Sequence, residues 1–248
     1  MGPSKVIEDY SYDELTPIFS FLRSLEKPGV RNNILLGGWA VYSYNPYFKS
    51  TDIDILANRK TEERLIRHLT KHNSYVYRQL EDDGPKKLQK VFDCGKVIVD
   101  IIYPDECYPY QDKSDGLKFS LILERAEYSF LGGLDIPVPE ITALLVTKMK
   151  AAWDRKARLQ RYDCPNRGFE EGKIIKDYSD IIALIDNKHR GNKLDISYLS
   201  DMLTKYRFLE SVLDECQRSQ DAAQKYRHPI KETEFIVQGL RNQLHQSR

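Results

Sequence analysis

The chain has few of the residues that mark thiolate-metal, disulfide-bonded or membrane proteins. Its four cysteines include no Cys-x-x-Cys pair and have no histidine at metal-ligand spacing from them; they are Cys94, Cys107, Cys164 and Cys216. A zinc site and a disulfide scaffold are therefore not expected. No apolar run approaches the roughly 20 residues that cross a bilayer, and the first residues lack the apolar region of a signal peptide. We expect a cytoplasmic protein with no membrane partner.

Net charge is also nearly absent, because 38 Lys and Arg residues face 37 Asp and Glu residues. Charge on the whole molecule therefore says nothing about partners, and any attraction for nucleotides must come from local clustering. The 248 residues are 41% hydrophobic and 30% charged, which is ordinary for a globular protein with a sizeable core. The sequence has no internal repeat and no low-complexity linker.

The hydrophobic pattern changes near residues 137–139. Before that point, helical spacing at 13–25 and 62–72 alternates with strand-like stretches at 34–36, 52–57, 75–80, 88–92, 97–103 and 120–138. After it, apolar residues recur at helical spacing over 140–153 and 172–186, and the remainder is helical in composition. We predict an α+β fold, with a mixed sheet flanked by helices in residues 1–138 and a helical domain in residues 139–248.

Two aspartates alternate along the strand predicted at residues 52–57. Successive strand residues point to opposite faces, so Asp52 and Asp54 project together. Adjacent carboxylates repel each other unless a cation lies between them, and Mg²⁺ prefers oxygen ligands. A second predicted strand also ends in a carboxylate, that of Asp100. The three aspartates are therefore candidate catalytic and metal-binding residues for two Mg²⁺ ions, with Mn²⁺ as an alternative.

A glycine pair and a serine precede these aspartates. Gly37 and Gly38 lie between a buried strand and a helix, where the backbone can approach a triphosphate and the helix N-terminus favours its charge. Ser50 adds a hydroxyl that could bond a phosphate oxygen or cap the turn. Trp39 is either a core residue or a base-stacking residue. Each feature alone has an ordinary structural explanation, but their order indicates a nucleotide site.

This order of motifs resembles the polymerase-beta-like nucleotidyltransferase superfamily. The matching segments are Leu36-Gly37-Gly38-Trp39-Ala40-Val41, Lys49-Ser50-Thr51-Asp52-Ile53-Asp54 and Val99-Asp100. A closer similarity, to the AbiEii-type toxins and their minimal nucleotidyltransferase relatives, depends on Pro139-Glu140, Lys148-Met149-Lys150-Ala151, Arg155 and Lys176-Asp177-Tyr178-Ser179-Asp180-Ile181. Lys49 departs from the arginine usual in those relatives, so the charge is kept and bidentate recognition is lost.

The resemblance implies an enzyme that transfers a nucleotide from a nucleoside triphosphate to an acceptor hydroxyl and releases pyrophosphate. It also implies a toxin acting on RNA, such as a tRNA acceptor end, with a cognate antitoxin protein as partner. Adenylylation of a small molecule, such as an aminoglycoside or lincosamide antibiotic, would use the same core, as would transfer to a protein side chain. A non-catalytic, antitoxin-like binding module would show a lost carboxylate, whereas all three are present.

Two lysines of the second half are further candidates for nucleotide binding. Lys148 lies on the apolar stripe of its helix, where it either extends to water or reaches the triphosphate. Lys176 forms an i,i+4 pair with Asp180; such pairs are usually solvated, whereas the resemblance implies that one of the two faces the active cleft. Between the helices lies a basic segment that is either solvated or holds RNA, with Tyr162 and Phe169 for stacking. Its cations are Arg155, Lys156, Arg158, Arg161 and Arg167.

Overall fold

The computed structural model describes residues 5–26, 33–79, 86–105, 116–186, 188 and 194–246. These residues form two compact units, and the chain passes from one to the other between Pro139 and Glu140. Residues 119–139 belong to the first unit and residues 116–118 to the second. The first unit combines a mixed sheet with helices and the second is helical, which confirms the predicted fold class. The helix end predicted at Pro28-Gly29 lies outside the described residues.

A five-stranded sheet is the centre of the first unit. Its strands are β1 (Asn33–Leu35), β2 (Asp52–Ala57), β3 (Val76–Gln79), β4 (Lys86–Phe92) and β5 (Gly95–Ile102). Their order across the sheet is β1-β2-β5-β4-β3. Strands β2 and β5 run parallel and the other neighbours antiparallel, so the sheet is mixed as predicted. A separate hairpin consists of β6 (Ala126–Leu131) and β7 (Leu134–Pro139), which pair antiparallel.

The described helices of the first unit leave part of one sheet face open. They are α1 (Ile7–Ser24), α2 (Gly37–Tyr44), α3 (Arg59–His72) and α4 (Ser120–Glu124). Helix α1 packs on the face that carries Lys90 and Phe92, since Lys90 bonds Glu14 at 2.6 Å and Phe92 stacks on Tyr10. The opposite face is covered at one end by a small core cluster of Ile34, Leu36, Leu56 and Ile122. This second face also carries the aspartates of β2.

Trp39 is a core residue. Its side chain has no solvent exposure, and its indole N–H donates a 3.0 Å hydrogen bond to the hydroxyl of Ser11 on α1. A buried indole needs such a partner for its single donor. The core interpretation of Trp39 is therefore confirmed.

The second unit is built from six helices within the described residues. They are α5 (Ile141–Leu159), α6 (Arg167–Ile185), α7 (Ile196–Lys205), α8 (Phe208–Arg218), α9 (Gln220–Lys225) and α10 (Ile230–Gln246). Helix α5 begins at residue 141 because the Glu140 carboxylate accepts hydrogen bonds from the backbone N–H groups of Thr142 and Ala143. Its apolar stripe is buried, including Leu144, Leu145 and Met149. None of the described helices combines the length and apolar character needed to cross a bilayer.

Candidate active site

Three aspartates lie on one face at the centre of the five-stranded sheet. Asp54 of β2 stands directly opposite Asp100 of β5 in the parallel ladder, where neighbouring strands are about 4.8 Å apart. Asp52 lies two residues before Asp54 and therefore on the same face. The intervening Ile53 is fully buried on the other face, whereas all three aspartates keep partial exposure. The fold thus brings together the three candidate carboxylates from two neighbouring strands.

Asp54 lies against the first residue of α2. The Leu36 N–H donates a 2.8 Å hydrogen bond to the Asp54 carbonyl, which holds the two segments side by side. A Cβ atom added to Gly37 would stand 1.8 Å from Oδ2 of Asp54, and Gly37 has φ +63°. Any other residue would therefore both strain the backbone and displace the carboxylate. The carboxylate is placed beside the first turn of α2, whose N–H groups carry partial positive charge.

The remaining phosphate-site candidates of the first unit flank these two segments. Gly38 is buried in the first turn of α2, and Ser50 is 5% exposed just before β2. The Thr51 hydroxyl is 3.4 Å from Oδ1 of Asp52. Gly37, Gly38 and Ser50 are thus found at the two chain segments adjoining the carboxylates.

Lys49, the departure from the usual arginine, is bound within its own unit. Its Nζ lies 2.5 Å from Oδ1 of Asp9 on α1. This hydrogen bond raises the pKa of Lys49 and lowers the pKa of Asp9. The side chain therefore links the segment before β2 to α1. One ammonium group is enough for this link, so the bidentate guanidinium of an arginine is not needed.

Asp100 carries a salt bridge that the sequence did not predict. Its Oδ2 lies 2.5 Å from Nζ of Lys87 on β4, with the two side chains 24% and 27% exposed. The tight turn between Phe92 and Gly95 sets the register of β4 against β5 and brings these residues opposite each other. That turn, read together with strand alternation, is the signal that could have identified Lys87.

The carboxylates of Asp52, Asp54 and Asp100 are the kind of ligand that a hard divalent cation prefers, but the three do not converge on one point. Asp52 and Asp54 offer only oxygen atoms, the ligands that Mg²⁺ prefers. Within the described ranges, no three His, Cys, Asp or Glu side chains converge closely enough to hold a metal ion. Oδ2 of Asp100 is bonded to the ammonium group of Lys87.

The two candidate lysines of the second unit lie together in a buried ion-pair cluster. Nζ of Lys148 is 2.7 Å from Oδ2 of Asp180 and 3.5 Å from Oδ1 of Asp177. Lys176 contacts the same Asp180 oxygen at 3.1 Å. The Asp180 side chain is 1% exposed and that of Lys148 is 10% exposed. The alternatives of a lysine extending to water and of a solvated surface pair are therefore wrong, because packing between α5 and α6 encloses these charges.

Arginines continue this cluster along α5. Arg155 bonds Asp177 at 2.8 Å and Glu170 at 3.3 Å, while Arg158 donates two hydrogen bonds to Glu170 at 3.0 and 3.1 Å. Burial alone would raise the pKa of Glu170, but the hydrogen bonds and charges of Arg158 and Arg155 outweigh it and lower that pKa. Burial lowers the pKa of Lys176, an effect that Asp180 partly offsets.

The basic segment after α5 is divided between internal and exposed cations. Lys156 forms a salt bridge with Glu215, in addition to the pairs of Arg155 and Arg158. Arg161 and Arg167 are exposed. Tyr162 is fully exposed and Phe169 is half exposed, so any RNA contact made by this segment would use these residues.

Comparison with known proteins finds similarity among solved structures. No family model and no curated protein sequence matches the chain. The crystal structure of an antigenic nucleotidyltransferase-like protein from Paracoccidioides brasiliensis aligns with 89% of this chain and 92% of that chain. The TM-score is 0.47 and the sequence identity 14%. The resemblance to the AbiEii-type group stays a prediction.

Proposed function

We propose that the chain is a metal-dependent nucleotidyltransferase that transfers a nucleoside monophosphate from a nucleoside triphosphate to an acceptor hydroxyl. The observation that carries the proposal is the Asp54 carboxylate in the space that a Cβ atom of residue 37 would fill, with Asp100 opposite Asp54 on the next strand. This placement suits a bound cation that meets a phosphate held by a helix N-terminus.

Each candidate residue of the first unit has a role in this proposal. The backbone N–H groups of Gly37 and Gly38 and the Ser50 hydroxyl would bind triphosphate oxygens. Asp52 and Asp54 would hold Mg²⁺, and the Asp100 oxygen that is not bonded to Lys87 would complete the ligand set. When bound, Mg²⁺ would neutralise phosphate charge and polarise the reacting phosphoryl oxygens. Lys148 and Lys176 remain candidate nucleotide ligands, although their present partners are Asp177 and Asp180.

The chemical step is an in-line displacement at the α-phosphorus. The acceptor oxygen forms a bond to the α-phosphorus while the bond from that phosphorus to the bridging oxygen breaks, and pyrophosphate leaves. The proton of the attacking hydroxyl passes to the Asp100 carboxylate and then to water. Positioning and charge neutralisation contribute most of the rate enhancement, as in phosphoryl transfer generally.

RNA is the acceptor that we favour for this reaction. The exposed residues Arg161, Tyr162 and Phe169 offer charge and stacking surface for a single strand, which a small-molecule enzyme does not need. More specifically, the acceptor is a tRNA end, and the enzyme is a toxin that an antitoxin protein restrains. Transfer to a small hydroxylated molecule or a protein is the second candidate, and the same assay distinguishes these acceptors.

The test is transfer of label from each α-³²P nucleoside triphosphate in the presence of Mg²⁺ and total cellular RNA. Wild type should label an RNA band, and Asp52→Asn should lower the rate about 10³-fold. Loss of the charge that positions the cation costs several kcal/mol, and about 1.4 kcal/mol is tenfold in rate. Asp135→Asn, a change at an exposed aspartate of β7, should keep the wild-type rate.

The outcomes separate the candidate functions. Label on a protein or an added aminoglycoside, but on no RNA, would replace the acceptor while keeping the reaction. Equal labelling by wild type and Asp52→Asn would exclude the carboxylate site. Triphosphate binding without transfer to any of these acceptors would establish the non-catalytic binding module instead.

A further inference from the structure

A row of four charged residues crosses the sheet at the level of the candidate active site. Asp54 of β2 is opposite Asp100 of β5, Asp100 bonds Lys87 of β4, and Lys87 is opposite Arg78 of β3. All four point to the same face, because the neighbouring pair Leu88 and Val99 is buried on the other face. In the sheet order β2-β5-β4-β3, the row therefore has two acidic residues followed by two basic residues.

The order of charges in this row is unfavourable for the sheet itself. Like charges directly opposite each other on neighbouring strands are destabilising, and opposite charges are stabilising. The row contains one acidic pair, Asp54 with Asp100, and one basic pair, Lys87 with Arg78. A cation relieves the first repulsion and an anion relieves the second. The basic pair is thus the counterpart of the carboxylate pair on the next two strands of the sheet.

The basic pair lies on an accessible part of the sheet. Arg78 is exposed and the Lys87 side chain is 27% exposed. On the same face, Val76 is 40% exposed and Val91 is 73% exposed. Solvent therefore reaches this part of β3 and β4, which combines two cations with apolar side chains.

We propose that Lys87 and Arg78 bind a phosphate of a polynucleotide acceptor and so determine acceptor specificity. This inference rests on the proposed nucleotidyl transfer. Neighbouring strands are about 4.8 Å apart, so the backbones of Lys87 and Arg78 lie roughly 5 and 10 Å from that of Asp100, and the Lys87 ammonium itself is 2.5 Å from the Asp100 carboxylate. A phosphate next to the nucleotide that carries the attacking hydroxyl is separated from that hydroxyl by a similar length. Val76 and Val91 give the sugars and bases of the strand an apolar surface, whereas an aminoglycoside, which is a polycation, would be repelled.

Lys87 also acts as a positioning residue between the acceptor and Asp100. Its ammonium has three N–H donors, so it can bond Asp100 and a phosphate oxygen at the same time. Arg78 lies opposite Lys87, one strand farther from the carboxylates. Arg78 should therefore affect acceptor binding alone, whereas Lys87 should affect both binding and the catalytic step.

The first experiment measures binding without any triphosphate. A fluorescein-labelled 12-nucleotide single-stranded RNA is titrated with wild type, Arg78→Met, Lys87→Met and Lys87→Arg. Each loss of charge should raise the dissociation constant about tenfold. It should also reduce the magnitude of the slope of log association constant against log salt concentration by about 0.7. Lys87→Arg should restore most of the affinity. The matched controls Arg64→Met and Lys60→Met, at exposed cations of α3, should bind like wild type.

A neutral linkage in the RNA then identifies the phosphate. A 12-mer with one methylphosphonate next to its 3′ end should bind wild type about tenfold more weakly, and Arg78→Met should add no further loss with this RNA. In transfer assays Arg78→Met should raise KM for RNA with little change in kcat, whereas Lys87→Met should change both.

The results distinguish this inference from the proposed function. One result would be that Arg78→Met and Lys87→Met transfer label to RNA with wild-type affinity for RNA and wild-type KM. That result would overturn the phosphate site but leave the proposed nucleotidyl transfer in place. In that case Lys87 would only neutralise Asp100. RNA binding that depends on both cations, with no transfer to any acceptor, would keep the site and reject the reaction. Equal losses in Arg64→Met would show general charge attraction and would also overturn the site.

Discussion

The two units use the same kinds of charged residue in opposite ways. In the sheet unit, Asp52, Asp54 and Asp100 are partly exposed on one face, and one of them presses on the backbone of a glycine. In the helical unit, Asp180 and Lys148 are enclosed between α5 and α6 and bond each other. The first arrangement leaves its carboxylates partly exposed to solvent, and the second encloses its charges between helices. Burial therefore separates residues suited to chemistry from residues suited to holding helices together.

The largest expected effect is on the stability of the helical unit. Lys148→Met should lower its free energy of unfolding by about 3 kcal/mol, the lower end of the range for a broken buried pair, because Lys176 also contacts Asp180. Asp52→Asn should change the stability of the sheet unit by less than about 1 kcal/mol, since it removes one of several neighbouring acids at a partly exposed position. Urea unfolding followed by tryptophan fluorescence measures both changes.

The two tryptophans let each unit be observed by itself. Trp39 lies in the sheet unit and Trp153, which stacks on Phe208, lies in the helical unit. A Trp39→Phe background reports the helical unit and a Trp153→Phe background reports the sheet unit. Lys231→Met, at an exposed lysine of α10, is the control and should stay within about 0.5 kcal/mol. A similar loss for Asp52→Asn and Lys148→Met would remove the distinction between the two arrangements.

The next effect concerns the glycine under Asp54. Gly37→Ala should cost about 1–2 kcal/mol for the positive φ, and it should further remove most activity because the added methyl displaces the carboxylate. Gly133→Ala is the matched control: Gly133 also has positive φ, at +84°, but a Cβ there meets nothing within 4 Å. It should show the stability loss and keep the transfer rate. Equal activity in the two variants would mean that the contact has no catalytic role.

The smallest effect is a pH dependence in the helical unit. The pKa of Glu170 is lowered in the folded state from its ordinary value of 4.5, so this group stabilises the fold above about pH 4.5. That contribution should be lost as the pH falls through the lowered pKa. Glu170→Gln should therefore reduce the acid-side loss of stability, measured as unfolding free energy between pH 3 and 6. An unchanged pH profile would show that Arg155 and Arg158 do not act through this carboxylate.

Local patterns predicted most of the elements, because alternation and helical spacing are properties of neighbouring residues, but the strand predicted from residue 120 was wrong at its start, where Ser120–Glu124 form helix α4. They identified β2 with its two aspartates, and helices α5 and α6. The Asp100–Lys87 bond depends on the register of two strands, which the carboxylate motif does not contain. The burial of Asp180 depends on helix packing, whereas its i,i+4 spacing from Lys176 is equally common on surfaces. Contacts between distant segments were therefore the part that sequence reasoning did not reach.

The left-handed backbone at residue 37 makes this position a matter of stereochemistry. Glycine is achiral, and its two hydrogens point in different directions, only one of them toward the Asp54 carboxylate. A D-alanine introduced by chemical ligation would favour positive φ and place its methyl group on the other hydrogen's side. D-alanine would thus avoid both the backbone strain and the clash with the carboxylate. Every L-amino acid at this position would cause both.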